Sequence, residues 1–149
     1  MAFGPPGLES WRGWRPVRLS RSSTSQLALT LVEGHWFLPY AVAFTYTCDG
    51  TVAVRSVYLT HSIGGITLGD AVSSLTLTAT QSCQYTFVRG SGLIQVAGAA
   101  TTFLATVGPI DWIVPPGASL TIGTVNAAGG DTVTGLTAVG LISPTDTGL

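Results

Sequence analysis

A chain of 149 residues has room for one domain with its own hydrophobic core. Hydrophobic residues make up an ordinary 46%, but charged residues only 9%, against about 25% in a typical soluble domain. The near-neutral balance of −1 argues against a nucleic-acid binder, and the most apolar window, Leu93 to Ile110, is too diluted by Gly, Thr and Pro to span a membrane.

A surface with so few charges must be covered largely by Thr, Ser, Gly and apolar groups, which protect poorly against association. The composition therefore points to a protein partly covered by other subunits. The charges it does have are unevenly placed. Residues 1–25 hold four Arg against Glu9, a net +3, and the remainder holds two Arg against six acids, a net −4.

Residues 1–25 read as an extended basic arm. Met1 to Gly7 is broken by Gly and Pro, and no apolar stretch resembles a secretory leader. Within the arm, Trp11, Arg12, Trp14, Arg15 and Arg18 alternate indoles with guanidiniums, and Arg21 follows. Trp and Arg are the side chains most enriched where proteins anchor one another. These six are the candidate partner-binding residues, reaching onto an acidic neighbouring body; the alternative is an arm folded back on its own domain.

A body over residues 26–142 reads as β throughout. Gln26 to Leu31 is a first strand. From Trp36 to Cys48 the large residues Trp36, Leu38, Tyr40, Val42, Phe44, Tyr46 and Cys48 fall on every second position, which predicts a strand with one face on the core. Asp49-Gly50 reads as a hairpin turn, so Thr51 to Ile63 is expected antiparallel to that strand, with Gly64-Gly65 breaking it. Further strands are expected at Ala71 to Thr80, Gln84 to Val88, Thr101 to Val107, Asp111 to Val114, Leu120 to Val125 and Val133 to Ile142, with Gly90 to Gly98 mostly loop. Pro115-Pro116-Gly117 is a corner no central ladder accepts. Residues 143–149 are a short tail. About eight antiparallel strands with regular turns predict an all-β sandwich or jelly roll.

Catalytic signals are sparse. His35 and His61 have no motif around them, the acids stand singly in turns, and no nucleophile elbow, phosphate loop or calcium loop occurs. Cys48 and Cys83, 35 positions apart, suit two free buried thiols better than a disulfide, and no zinc spacing exists. No catalytic residue, metal or cofactor is expected. Asp111 and Trp112 form the best local candidate for a ligand or interface contact, core packing being the plainer role for Trp112.

The body resembles small structural proteins of tailed-phage virions, above all the head decoration (cement) type. The likeness rests on Phe37 to Thr47, Thr51-Val-Ala-Val-Arg55, Ile110-Asp-Trp-Ile-Val-Pro-Pro-Gly117 and Gly129-Gly130-Asp131-Thr132 before Val133 to Ile142. It implies a non-enzymatic jelly-roll protein, made in the host cytoplasm and carried on the capsid surface. Its partners would be the major capsid protein and further copies of itself, often as a homotrimer, with no nucleic acid or membrane involved. Tail, fibre and baseplate modules, some of them glycan- or receptor-binding, share the same texture.

Overall fold

A computed structural model describes residues 13–24, 28–30, 34–90 and 95–144. Among them are ten strands and no helix: β1 (Arg15–Thr24), β2 (Ala28–Thr30), β3 (Phe37–Thr47), β4 (Arg55–Ile63), β5 (Ile66–Leu77), β6 (Ser82–Arg89), β7 (Gln95–Ala99), β8 (Thr102–Ile110), β9 (Ser119–Val125) and β10 (Thr132–Ile142). A six-stranded sheet has the order β1-β10-β3-β6-β8-β7, and a four-stranded sheet has the order β2-β9-β4-β5. All neighbours are antiparallel except β6 and β8, which are parallel. The fold is two-layered and sandwich-like, with more strands than the eight expected.

The core lies between the sheets. Val42, Phe44 and Tyr46 point into it from β3 and Cys48 from just past its end, and Cys83, Tyr85 and Phe87 from β6. Phe44 stacks on Phe87 with ring centroids 5.8 Å apart and tilts against Tyr85 at 5.4 Å. Val57 and Leu59 of β4, Leu77 of β5 and Leu120 of β9 close it from the four-stranded sheet. Cys48 and Cys83 are both buried and free, and burial raises both thiol pKa values, that of Cys83 to about 11.

Four readings change. The arm does not end at residue 25, because Arg15–Thr24 is a strand of the body. It pairs with β10 from Arg15–Ile142 to Thr24–Val133, with Val17 and Leu19 packed against the core. Leu19 and Val17 alternate with Pro16, Arg18 and Ser20, a period-two signal that the surrounding Arg, Ser and Pro obscure.

The period of two in β3 also fails at its start. Between Ala41–Val139 and Pro39–Gly140 the register shifts. Tyr40 is thrown outward, 47% exposed, Trp36 is 38% exposed, and Phe37 takes the inward place at 1%. A β-bulge inserts one residue and so reverses the faces beyond it. Gly140 belongs to this device: a Cβ there would stand 2.0 Å from the Leu38 carbonyl oxygen.

Finally, the segment after Asp49-Gly50 does not return beside β3. It crosses to the other sheet, where β4 pairs with β5 and β9. The hairpin lies one step later, where Gly64 and Gly65, both at positive φ, join β4 to β5. Two such residues in succession suit the tight turn whose twist matches paired strands. Residues 111–114, expected as a strand, contribute one bridge between Val114 and Phe37.

Candidate functional site

At one end of the sandwich the connections β3–β4 and β9–β10 meet around Arg55. Its guanidinium is 0% exposed, and all five N–H groups are used. Nε and Nη2 donate to the two Asp131 carboxylate oxygens at 3.1 Å, Nη2 also donates to Asp49 Oδ1 at 2.9 Å, and Nη1 donates to the carbonyls of Thr51 and Ala53 at 2.8 Å. Asp131 further accepts from the Tyr46 hydroxyl and from the backbone N–H of Asp49 and Ala128. Burial raises the Asp131 pKa, but these hydrogen bonds, that from Arg55 foremost, outweigh it and hold the group at about 2. Asp49 is held low chiefly by the Thr51 N–H. Asp131 raises the Arg55 pKa. A buried ion pair survives when its remaining donors and acceptors are satisfied; here they are. The cluster has no spare ligand or base, and its chemistry is structural: it locks the crossing from β3 to β4.

A second cluster lies at the other end. His61 of β4 is buried and stacks on Trp112 with centroids 4.2 Å apart. Both rings lie over Gly69 of β5, where a Cβ would be 2.7 Å from His61 Cε1 and 3.0 Å from Trp112 Cδ1. His61 Nδ1 has no hydrogen-bond partner, and burial lowers the imidazole pKa. Arg89 donates to the Pro39 carbonyl at 2.7 Å and to that of Trp112, fixing the 110–114 segment against β3. Among the described residues neither a nucleophile nor a carboxylate reaches His61 by hydrogen bond. His35 is spent on the Ser143 carbonyl at 2.7 Å, which joins the start of β3 to the end of β10.

The expected site residues do not converge. Trp11 and Arg12 lie outside the described residues. Trp14 is half-buried, Arg15 and Arg18 are exposed, and Arg21 is described in its backbone pairing with Leu136. Asp111 is exposed, while Trp112 is turned onto His61, so the pair offers no free aromatic platform. What sequence reasoning missed is a shallow apolar hollow of about 370 Å³ lined by Pro16, Val17, Arg18, Tyr40, Val139 and Leu141. It exists because the bulge turns Tyr40 outward beside the edge strand. Among the described residues no three His, Cys, Asp or Glu side chains gather as a metal site, and no helix is long and apolar enough to cross a membrane.

The dominant surface feature is the lack of charge. Arg55 and Asp131 are consumed inside, and the outward positions of the central strands are mostly Thr, Ser, Ala, Val and Gln, with Tyr40 and Leu104 standing out among them. No family model, curated protein or solved structure matches the chain.

Proposed function

We propose that this chain is a non-enzymatic structural protein of a tailed-phage virion, of the capsid decoration type, with a jelly-roll body that binds the major capsid lattice and copies of itself. The observation carrying this reading is the sparsely charged outer surface of both sheets, where the described strands present Arg18 on one and Asp70 on the other. Exposed neutral faces of this extent favour burial in an assembly over life as a lone particle.

Strand pairing supports the jelly-roll assignment. With the β7–β8 hairpin set aside, eight strands remain. First pairs with last, β1 with β10; then β2 with β9, β3 with β6 and β4 with β5, all antiparallel. That is the pairing of one long hairpin, and rolling it over brings β10 beside β3 and β9 beside β4, as in the double Greek key of capsid proteins and lectins. The basic Trp-containing start of the chain remains the proposed anchor on an acidic neighbour, with Arg15 and Arg18 presented on an exposed edge strand.

Co-sedimentation with empty heads lacking decoration protein tests this reading. Saturable binding at a fixed ratio to the capsid subunit is expected. Heads that pellet without the protein, at any concentration tried, overturn it.

A further inference from the structure

The outer face of the six-stranded sheet is a level array of small neutral side chains. Its middle row, set by strand register, runs Thr137, Ala43, Thr86 and Thr106 across β10, β3, β6 and β8. Rows on either side are built likewise from Ala, Val, Thr, Ser and Gln, with Leu104 standing 54% exposed near one margin. Among the described residues the one charged side chain of this face is Arg18, on the edge strand β1.

We propose that a second copy of this chain covers this face, sheet against sheet. Three observations select that occupant. The first is area. Six strands at ~4.8 Å spacing and ~30 Å length present roughly 700 Å², close to the ~800 Å² per partner of a stable pair. The four-stranded sheet, at roughly 400 Å² by the same spacing, falls short.

The second is charge. The surface of an ordinary soluble partner brings charged side chains, which would lose water here and meet no counter-charge. The same face of a second copy brings only Arg18, at the edge-strand margin, and its Thr hydroxyls both donate and accept. Small side chains also allow the sheets to approach to the ~10 Å of ordinary face-to-face packing.

The third is shape. The hollow lined by Pro16, Tyr40 and Val139 lies at the β1 margin, while Leu104 stands on β8 toward the opposite margin. A two-fold axis in the plane of the face, midway between leucine and hollow and perpendicular to the line joining them, exchanges the two, so each copy's projecting leucine meets the other's hollow. Such a contact is self-complementary and closes at two copies, where the phage resemblance implies three. The inference rests on the assembly reading above only for the existence of companions.

Sedimentation velocity with light scattering on the full chain tests it. The wild type is expected at twice 15.3 kDa. Ala43→Arg and, separately, Thr86→Arg place one guanidinium mid-face; each is expected to give the single-chain mass with unchanged circular dichroism. Ile66→Arg, at the exposed β4–β5 hairpin, is expected to leave the pair intact. If both face variants misfold, Thr86→Cys decides: the native thiols are buried, so a short bis-maleimide is expected to couple copy to copy in the pair. A single-chain wild type, a trimer or dimer that survives both face charges, a pair broken only by Ile66→Arg, or no coupling through Thr86→Cys overturns the inference. Failure to bind heads with the pair intact removes only the capsid reading; a lone chain that binds heads removes only this one.

Discussion

Asp131 and His61 show how burial acts oppositely on an acid with many partners and a base with few. Asp131 answers the Arg55 guanidinium, two backbone N–H groups and the Tyr46 hydroxyl. Removing its charge leaves a buried cation with only Asp49 in compensation, which costs about 3–5 kcal/mol when such pairs are broken. Asp131→Asn is expected to lose stability of that order in urea denaturation at neutral pH. The acid limb follows by linkage. A carboxyl held at about 2 when folded, below its ordinary value near 3.9 when unfolded, contributes stability that is full above pH ~4 and lost as pH falls toward 2. At roughly 1.4 kcal/mol per pH unit this amounts to roughly 2–3 kcal/mol, and the Asn variant is expected to lack that limb.

His61 titrates in a different window. Its folded pKa lies below the unfolded value near 6.5, so the unfolded chain takes up the proton first. The neutral ring's contribution is complete above pH ~6.5 and declines as pH falls through that value toward the folded pKa. Asp70, the charged neighbour on β5, is exposed, and the indole N–H of Trp112 points at its carbonyl at 3.5 Å. Denaturation midpoints taken from pH ~7 to ~5 are expected to fall in the wild type and to stay level in His61→Phe, which keeps the aromatic stack on Trp112.

At the scale of elements, the edge strand decides what can be cut away. β1 runs antiparallel to β10 over nearly its full length and lays Val17 and Leu19 on the core. Deleting residues 1–24 strips that strand, bares the flank of β10, and is expected to lower the thermal midpoint sharply and promote aggregation through the new edge. Deleting residues 1–12 leaves every described strand in the chain and is expected to keep the midpoint within a few degrees. Scanning calorimetry on the two truncations distinguishes a strand from an appended arm. Equal midpoints would make β1 dispensable.

The β3 bulge and the β3–β4 crossing belong to the same scale. Alternation in Val42, Phe44, Tyr46 and Cys48 gave the inward face directly, but nothing in Trp36-Phe-Leu-Pro-Tyr40 announces where one residue is inserted. A bulge arises from pairing, and the partner that sets it, Gly140, is a hundred positions away. Asp49-Gly50 carried a sound local turn signal. Its strand nevertheless crossed sheets, because Arg55, six residues on, is drawn inside by Asp131 from the far end of the chain.

For the whole molecule, the scarcity of charge has a measurable consequence. Assemblies held by ion pairs weaken as salt shortens the Debye length from ~10 Å at 0.1 M to ~3 Å at 1 M. A contact made through Thr, Ala and Val rows has nothing to screen. The mass of the assembled form is therefore expected to hold or rise between about 0.1 and 1 M NaCl, while attachment through Arg15 and Arg18 to an acidic neighbour is expected to weaken over the same range. Light scattering and co-sedimentation at the two salt levels read the two effects separately.

What the sequence by itself determined was local: most strand-forming segments, the inward set of β3 beyond its bulge, and a surface short of charge. Each follows from side-chain chemistry and a two-residue period, which neighbours along the chain establish between them. Tertiary structure alone decided which strand lies beside which, that residues 15–24 belong to the body, that a lone-looking Arg55 and Asp131 are one buried pair, and that Tyr40 faces out over an apolar hollow. Those depend on pairing between segments distant in sequence, where hydrogen bonds between backbones, identical for every residue but proline, hold the strands and leave little trace in the side chains.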